Sequence, residues 1–337
     1  MKQINKNEIY NHYIALDWSK DNFALAVMRS NSKEPKVIVC PPDLKLLKEK
    51  LKSLTGKKIL TIEETTSTHW LYVELKEKVN RILICDPYRN KLLSDGPKND
   101  KIDAKNLCLL LRNGSLKEVF HTSDKSYEIR KLVSCYDDFV KASVRIKNQR
   151  SAMFLSEGKD HKKEKVLEES AIKKFVTEKQ NQTRAQLDEI REEFELMFKK
   201  IIKENKTVGQ LAKVSGIAHI LAVTIFAIVI DGTRFATKYK YYAYAGLVYY
   251  QKESGDRNYG KRKIRHNVKL KSCYKIAANA AIGGNNDIRE YYEYLIENKY
   301  SIQDARNEIA RYIAKVTYAI MKNGTDYRPY QWRESKK

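Results

Sequence analysis

Five carboxylates in this sequence stand where phosphodiester chemistry would need them. Asp17 follows an apolar run, Glu63 and Glu64 follow another, and Asp100 and Asp103 are three residues apart on one face of a predicted helix. Carboxylates gathered at one spot repel one another unless divalent cations neutralise them, and their oxygens suit Mg²⁺ or Mn²⁺. A pair of such ions can stabilise both the attacking and the leaving oxygen of a phosphodiester. Taken singly, each acid is better explained as a turn residue, a solvated strand end or a helix N-terminal acid, and only their combination favours a metal site.

The predicted order of strands and helices brings these acids together. The predicted strands are 13–16, 23–28, 36–40, 58–62 and 81–85, and the predicted helices are 43–55 (with Gly56 just past its end) and 69–79, with another helix beginning at Pro87. This order, β-β-β-α-β-α-β-α, is typical of RNase H-like nucleases, in which helices flank a mixed sheet. In that fold the first strand, the fourth strand and a later helix converge. The sequence therefore predicts a metal site built from the acids.

The middle of the chain has a different pattern. From about Ser123 to Lys206 apolar residues recur at helical spacing, Gly and Pro are scarce, and a charged connector spans 156–169. Two long helices forming an arm or antiparallel coiled coil would satisfy this pattern, and a compact helical bundle is the alternative. We therefore expect three domains: a RuvC-like (RNase H-like) nuclease domain over 1–120, a helical arm over 121–206 and a mainly helical C-terminal domain over 207–337.

The last third carries features typical of nucleic-acid binding. Residues 214–221 read as a turn between two helices with Gly216 at the bend, and helix-hairpin-helix modules use such a turn to offer backbone N–H groups to a phosphate. After an aromatic stretch over 239–250 comes a segment that reads as a basic loop with interleaved tyrosines. The residues predicted to bind nucleic acid are Gly216, Arg257, Lys261, Arg262, Lys263, Arg265, Lys269 and Lys271.

The charge of the whole chain also indicates a polyanionic partner. Its 337 residues include 65 Lys and Arg against 42 Asp and Glu, a formal net charge of +23. The longest apolar run, 217–230, is shorter than the roughly 20 residues that a membrane-spanning helix needs, so nucleic acid is expected and a membrane is not. We expect no signal peptide, because no apolar region follows the first residues. Five scattered cysteines predict buried thiols in a reducing cytoplasm: Cys40, Cys85, Cys108, Cys135 and Cys273.

Several motifs together resemble those of the DEDD transposases of insertion sequences, a family of bridge-RNA-guided recombinases that is related to pilin-gene invertases. Residues 16–20 read Leu-Asp-Trp-Ser-Lys, and 64–70 are similar to the family's Glu-x-Thr-Gly-x-Tyr-Trp. Asp86-Pro87 and 98–104 are similar to its Asn-Pro and its Lys-Thr-Asp-x-x-Asp-Ala. Residues 244–247 read Tyr-Ala-Gly-Leu, and Ser254-Gly255 is similar to the family's later Ser-Gly. His266 departs from the family pattern, which has glycine there.

The resemblance implies a mechanism. It makes Asp17, Glu64, Asp100 and Asp103 the metal ligands, with Glu63 possible through a one-residue slip. It makes Ser254 the nucleophile that forms a covalent phosphoserine link to DNA, in a composite site between subunits. A hydroxyl needs activation by a metal or base before it attacks. The implied partners are donor and target double-stranded DNA, a guide (bridge) RNA and other copies of the chain, as a dimer or tetramer near the bacterial nucleoid.

Two other functions fit parts of this pattern. A metal-dependent, structure-specific endonuclease, such as a Holliday-junction resolvase, would use the carboxylates but not Ser254. A non-catalytic nucleic-acid-binding protein would use neither, and its acids would be structural. The clustering of acids at strand ends and a helix start favours an enzyme, because a plain binding protein has little use for it.

Overall fold

The structure, a computed structural model, describes residues 9–87, 99–122, 126–255, 257–263 and 265–329, and only the backbone of 252–254 and 261–263. It divides the chain into two units, Met1–Asp124 and Lys125–Lys337. Helices and strands are numbered below within the described residues.

A six-stranded mixed sheet forms the centre of the first unit, in the order β3-β2-β1-β4-β5-β6. The strands are β1 (His12–Trp18), β2 (Phe23–Arg29), β3 (Lys36–Cys40), β4 (Lys58–Glu63), β5 (Arg81–Cys85) and β6 (Glu118–Val119). The five predicted strands are confirmed. The sixth was not predicted, because its two residues are too few for any periodic pattern; it pairs antiparallel with β5.

Helices cover both faces of this sheet. They are α1 (Leu44–Ser53), α2 (Thr68–Leu75) and α3 (Asp100–Arg112). One face forms a core with Leu47 of α1 and Leu71 of α2, and the other forms a core with Leu107 of α3. A mixed sheet with flanking helices in this order is the predicted RNase H-like fold.

Three details of the first unit differ from the prediction or lie outside the described residues. Helix α1 ends at Ser53, so Gly56 does not cap it; a Cβ at Gly56 would lie 2.6 Å from Oδ1 of Asn11. Helix α2 ends at Leu75, short of the predicted residue 79, because residues 76–79 turn toward β5. The helix predicted to begin at Pro87 falls mainly on residues 88–98, which the structure does not describe.

Two long helices begin the second unit and run antiparallel. They are α4 (Ser126–Ser156) and α5 (Ala171–Glu204), and they confirm the two long helices predicted from spacing. Tyr136 of α4 donates a hydrogen bond to Glu195 of α5 (3.2 Å), and Ser143 donates to Asp188 (3.3 Å). The connector is fastened by Arg150, whose guanidinium donates to backbone carbonyls of residues 161, 164 and 165.

The rest of the second unit is mainly helical. Its elements are α6 (Lys206–Ala212), α7 (His219–Val229), a 3₁₀ turn (Gly232–Arg234), α8 (Lys238–Tyr244), β7 (Tyr249–Ser254), β8 (Arg257–Lys263), α9 (Val268–Gly283), α10 (Asp287–Glu297) and α11 (Ile302–Asn323). Helix α7 is apolar on nearly all sides and belongs to the core of this unit. Within the described parts of the chain, no helix is both long and apolar enough to cross a membrane.

The prediction of a basic loop after residue 254 is wrong. Most of that segment forms strand β8 and the first turns of α9. Residues 257–260 at the start of β8 are exposed, and charged side chains on an exposed face do not prevent strand pairing, so polarity alone misidentifies it.

The cysteines are all free thiols, but they are not all buried. Cys85, Cys108 and Cys273 are buried, Cys40 is half-buried and Cys135 is exposed. Cys135 lies on α4 beside the buried Tyr136, and a helix that packs along one stripe leaves the neighbouring positions in solvent.

Candidate active site and nucleic-acid surface

Asp17 and Glu63 lie side by side at the ends of two parallel strands. Strands β1 and β4 pair with Leu16 opposite Ile62, so Asp17 and Glu63 are the next residues along. Leu16 and Ile62 are buried in the core beneath α1 and α2. Because side chains alternate between the faces of a strand, Asp17 and Glu63 project to the other face, which α3 covers.

Helix α3 brings two more acids to this end of the sheet. It runs antiparallel to β1, since Sγ of Cys108 in its second half donates to the carbonyl of Tyr13 at the start of β1 (3.3 Å). Small buried residues on that face, Ala15 and Ala104 among them, let the helix approach the sheet closely. The first turn of α3, which carries Asp100 and Asp103, therefore lies near the end of β1.

Asn99 fixes where that helix starts. Its side-chain oxygen accepts a hydrogen bond from the N–H of Lys101 (2.9 Å), as an N-cap residue does. The N-terminal end of a helix carries partial positive charge, which favours acids in the first turn. Asp100 and Asp103 thus have a local reason to be there as well as a chemical one.

Two of the acids at this end of the sheet, Asp17 and Glu63, have raised pKa values. Burial raises the pKa of Asp17, and the charges of Asp100 and Asp103 raise it further. Burial also raises the pKa of Glu63, and the charges of Asp17 and Asp103 add to the effect. Half-buried carboxylates that repel one another in this way bind a divalent cation favourably, because its charge relieves the repulsion.

The oxygen atoms of these acids are chemically suited to Mg²⁺ or Mn²⁺, because both ions prefer carboxylate ligands. Within the described residues, no three acidic, histidine or cysteine side chains are arranged so that they could hold a metal ion as they stand. Binding an ion would thus draw Asp17, Glu63, Asp100 and Asp103 closer together than they are in the structure.

The sequence motif favours Glu64 as a candidate metal ligand, whereas the fold favours its neighbour Glu63. Glu64 is exposed and lies one residue past β4, where its N–H donates to the carbonyl of Cys85 (3.0 Å). Glu63 is half-buried and interacts with the acids of β1 and α3. A one-residue shift along a strand reverses the face that a side chain occupies, so only one of the two can share a face with Asp17.

Thr68 is a positioning residue that the sequence analysis missed. Its buried hydroxyl donates to the carbonyl of Glu63 (3.0 Å) and accepts from the N–H of Thr65 (2.7 Å). These bonds tie the end of β4 to the start of α2 and fix the backbone of Glu63. A threonine at the start of a helical run was the available signal.

Ser254 occupies the tip of a hairpin in the second unit. It is the last residue of β7 and pairs with Arg257 of β8 across a two-residue turn. Gly255 in that turn has φ of +58°, a conformation that favours glycine. The register of the hairpin shifts between Gln251 and Glu253, which bends β7 just before Ser254. The side chain of Ser254 lies outside the description.

The same hairpin presents tyrosines and basic residues to solvent. Tyr249, Tyr250 and Tyr259 are 53%, 45% and 56% exposed. The Lys271 ammonium of α9 lies 5.9 Å from the centre of the Tyr249 ring. Among the other predicted nucleic-acid-binding residues, Arg257 and Arg265 are exposed, and Lys261, Arg262 and Lys263 complete β8. Exposed aromatic rings beside cations can stack on bases and contact phosphates.

Lys269 and Gly216 also serve the fold of the second unit. Lys269 forms an ion pair with Asp137 of α4. Gly216 lies in the predicted turn between α6 and α7, with φ of +84°, and a Cβ there would lie 2.2 Å from the carbonyl oxygen of Ala277. The turn is therefore present, and its glycine is needed for close packing against α9.

Two family models match the chain. Residues 14–157 match a DEDD family described as Transposase, and residues 209–293 match the family described as Transposase IS116/IS110/IS902 family. The chain belongs to the DEDD transposases of insertion sequences. Transposases of this kind bind, cleave and join DNA, and DEDD transposases typically use a divalent metal. No curated protein matches this transposase.

The two matches divide the candidate residues of the transposase between them. The first covers Asp17, both glutamates and the two acids of α3, and the second covers Ser254 with its hairpin. The resemblance noted in the sequence is thus confirmed for the family and for its first, RNase H-like part.

Proposed function

We propose that this transposase cuts and rejoins DNA with two sets of side chains. Asp17, Glu63, Asp100 and Asp103 would hold Mg²⁺ or Mn²⁺, and Ser254 would act as the nucleophile. The observation that carries the metal part is the placement of Asp17 and Glu63 side by side on the sheet face that α3 covers, near the acids of its first turn. The raised pKa values of Asp17 and Glu63 support it. When bound, divalent ions supply stabilisation of the negative charge that develops on phosphodiester oxygens.

The covalent step conserves the energy of the broken bond. The Ser254 hydroxyl loses its proton, its Oγ forms a bond to phosphorus, and the bond from phosphorus to a deoxyribose oxygen breaks. The leaving oxygen takes up a proton. Rejoining reverses the step, since a hydroxyl of the new DNA partner attacks the phosphoserine and releases Ser254. The location of the Ser254 backbone at the end of a hairpin strand, beside the exposed Gly255, supports this role.

Glu63 is proposed as the fourth ligand in preference to Glu64. Strand alternation and the register of β4 with β1 support it. Glu63 with Thr65 satisfies the Glu-x-Thr part of the family's pattern, whereas Trp70 is in register with Glu64. The preference for Glu63 therefore depends on the strand pairing and not on the motif.

The proposed partners are donor and target DNA, a guide RNA and further copies of the chain, as a dimer or tetramer. The net charge of +23 and the aromatic, basic hairpin support nucleic-acid binding in general. Guide RNA and oligomer rest on the resemblance to bridge-RNA-guided relatives. If they are right, ribonuclease treatment of the purified protein abolishes strand cleavage and adding back the co-purifying RNA restores it.

A cleavage assay with denaturing electrophoresis tests the proposal. The protein is incubated with Mg²⁺, its co-purifying RNA and DNA carrying the element's junction. We expect a denaturant-resistant protein–DNA adduct that is lost in Ser254→Ala and in Asp100→Asn. Ser272→Ala is the matched control, because Ser272 is an exposed serine of the same unit, and it should keep the adduct. Cleavage that continues without an adduct in Ser254→Ala would instead identify a resolvase-like endonuclease.

A further inference from the structure

Helices α9 and α11 of the second unit border a cleft that no predicted site residue lines. The cleft has a volume of about 190 Å³ and is lined by Lys275, Ala278 and Asn279 of α9 and by Gln303 and Arg306 of α11. Since one water occupies roughly 30 Å³ of liquid, this space suits a phosphate group with a few waters.

A row of donors runs along α9 into the cleft, from Lys271 just outside it to Lys275 and Asn279 in its lining. Lys271, Lys275 and Asn279 are four residues apart on α9 and therefore lie on one face of it. The Lys275 ammonium donates to Oδ1 of Asn307 on α11, which uses one of its three donors. The Gln303 amide also donates to that oxygen (3.3 Å). The cleft thus presents N–H donors from both helices.

Acidic side chains do not form ion pairs with the cations of this row, although they pair with neighbouring cations. Lys269 forms an ion pair with Asp137, and Arg311 forms one with Glu308 (2.7 Å). Across the described part of the chain, Lys271, Lys275 and Arg306 form no ion pair. Burial lowers the pKa of Lys275, and the charges of Lys271 and Arg311 lower it further. A half-buried lysine among other cations is an environment that an external anion stabilises.

We propose that this cleft binds the phosphodiester backbone of a nucleic acid, with Lys271, Lys275 and Arg306 contacting phosphate oxygens. Asn279 and Gln303 would add neutral N–H donors. Because Lys271 also lies beside the Tyr249 ring, the cleft continues the surface of the β7–β8 hairpin onto α9 and α11. The inference deepens the proposed function, since it rests on nucleic-acid binding by the transposase and extends the surface involved.

Binding titrations over a range of salt concentrations test the cleft. Wild-type protein, Lys275→Gln and Arg306→Gln are titrated with a DNA duplex and with an RNA duplex of the same sequence. Lys315→Gln is the matched control, because Lys315 is exposed on the opposite face of α11, nine residues from Arg306. Thermal unfolding of each variant verifies its fold, and the exposed Arg306 provides a test even if Lys275→Gln is unstable.

Each cleft variant is expected to lose about one unit of the slope of log K against log salt. Affinity at 0.1 M salt should fall on the order of eightfold, the contribution of counterion release from one phosphate. Loss with DNA, with RNA or with both supports the cleft and identifies which nucleic acid occupies it. If both variants bind both duplexes as Lys315→Gln does, the cleft proposal is wrong while the proposed function stands. If the wild-type protein binds neither duplex, both fail.

Discussion

At the scale of single residues, the position of Asp17 could be predicted but that of its partner glutamate could not. Asp17 follows an apolar run that predicts a buried strand, so its location at the end of that strand follows from the sequence. Glu63 and Glu64 are adjacent, and the choice between them depends on the pairing of β4 with β1. That register comes from packing of the whole sheet, which a local pattern does not contain.

The first prediction concerns how far the Asp17 carboxylate lowers the stability of the metal-free protein. Its pKa is raised above the ordinary value of 3.8, so the native state binds this proton more tightly than the unfolded chain does. The stability of the native state therefore falls as the pH rises from that value through the raised pKa, and at neutral pH the full cost is present. We expect Asp17→Asn to raise the melting temperature in EDTA at pH 7 by a few degrees.

The same melting experiment has a metal arm. Mg²⁺ should stabilise the wild-type protein and have little effect on Asp17→Asn, because binding to the native state raises the melting temperature. An Asp17→Asn variant that melts lower than wild type in EDTA would show that the carboxylate stabilises the fold instead.

The second prediction separates the two glutamates. Glu63→Gln should weaken Mn²⁺ binding at least tenfold in calorimetric titration, whereas Glu64→Gln should bind nearly as wild type. The two substitutions remove the same charge from neighbouring positions, so each serves as the control for the other. The reverse result would return the ligand role to Glu64 and contradict the assignment from strand alternation.

At the scale of secondary structure, apolar periodicity predicts the longer helices and strands, and it fails for elements that are very short or wholly polar. Helices α4 and α5 and strands β1–β5 carry regular apolar spacing. Residues 257–260 of strand β8 are all exposed and show no such pattern, and β6 has two residues. Apolar periodicity therefore predicts a loop where β8 lies, although the family motif still indicates Ser254.

The third prediction tests why residue 216 is glycine. Gly216→Ala forces a Cβ against the Ala277 carbonyl as well as into a positive φ, so it should cost roughly 2–4 kcal/mol of unfolding free energy. Gly158→Ala is the control, because Gly158 also has positive φ (+68°) but has nothing within 4 Å. It should cost only about 1 kcal/mol. Equal costs, measured by denaturant unfolding, would contradict the packing role.

The fourth prediction concerns the aromatic side chains of the hairpin. Tyr250→Ala should weaken binding of single-stranded DNA by about fivefold or more, since stacking of one base contributes roughly 1–3 kcal/mol. Tyr300→Ala is the control, because Tyr300 is similarly exposed (48%) but lies between α10 and α11. Fluorescence anisotropy measures both affinities. An unchanged affinity in Tyr250→Ala would remove this ring from the nucleic-acid surface.

At the scale of the whole molecule, the net charge indicates the class of partner, and the motifs indicate the family. The net charge of +23 predicts a polyanionic partner but does not distinguish DNA from RNA, because both present the same phosphates. The motifs identify the family, and the sheet order then explains why their acids meet. The cleft of α9 and α11 could not be read from the sequence, because its residues come from two helices about 30 positions apart whose packing creates it.

The most direct test of the whole account is to identify the residue that DNA becomes attached to. The protein–DNA adduct is trapped by denaturation, digested with nuclease and protease, and analysed by mass spectrometry. The account predicts a nucleotide remnant on the peptide that contains Ser254, formed only with a divalent metal and absent in Asp17→Asn. A remnant on any other residue, or DNA cleavage that leaves no remnant, would contradict the serine mechanism.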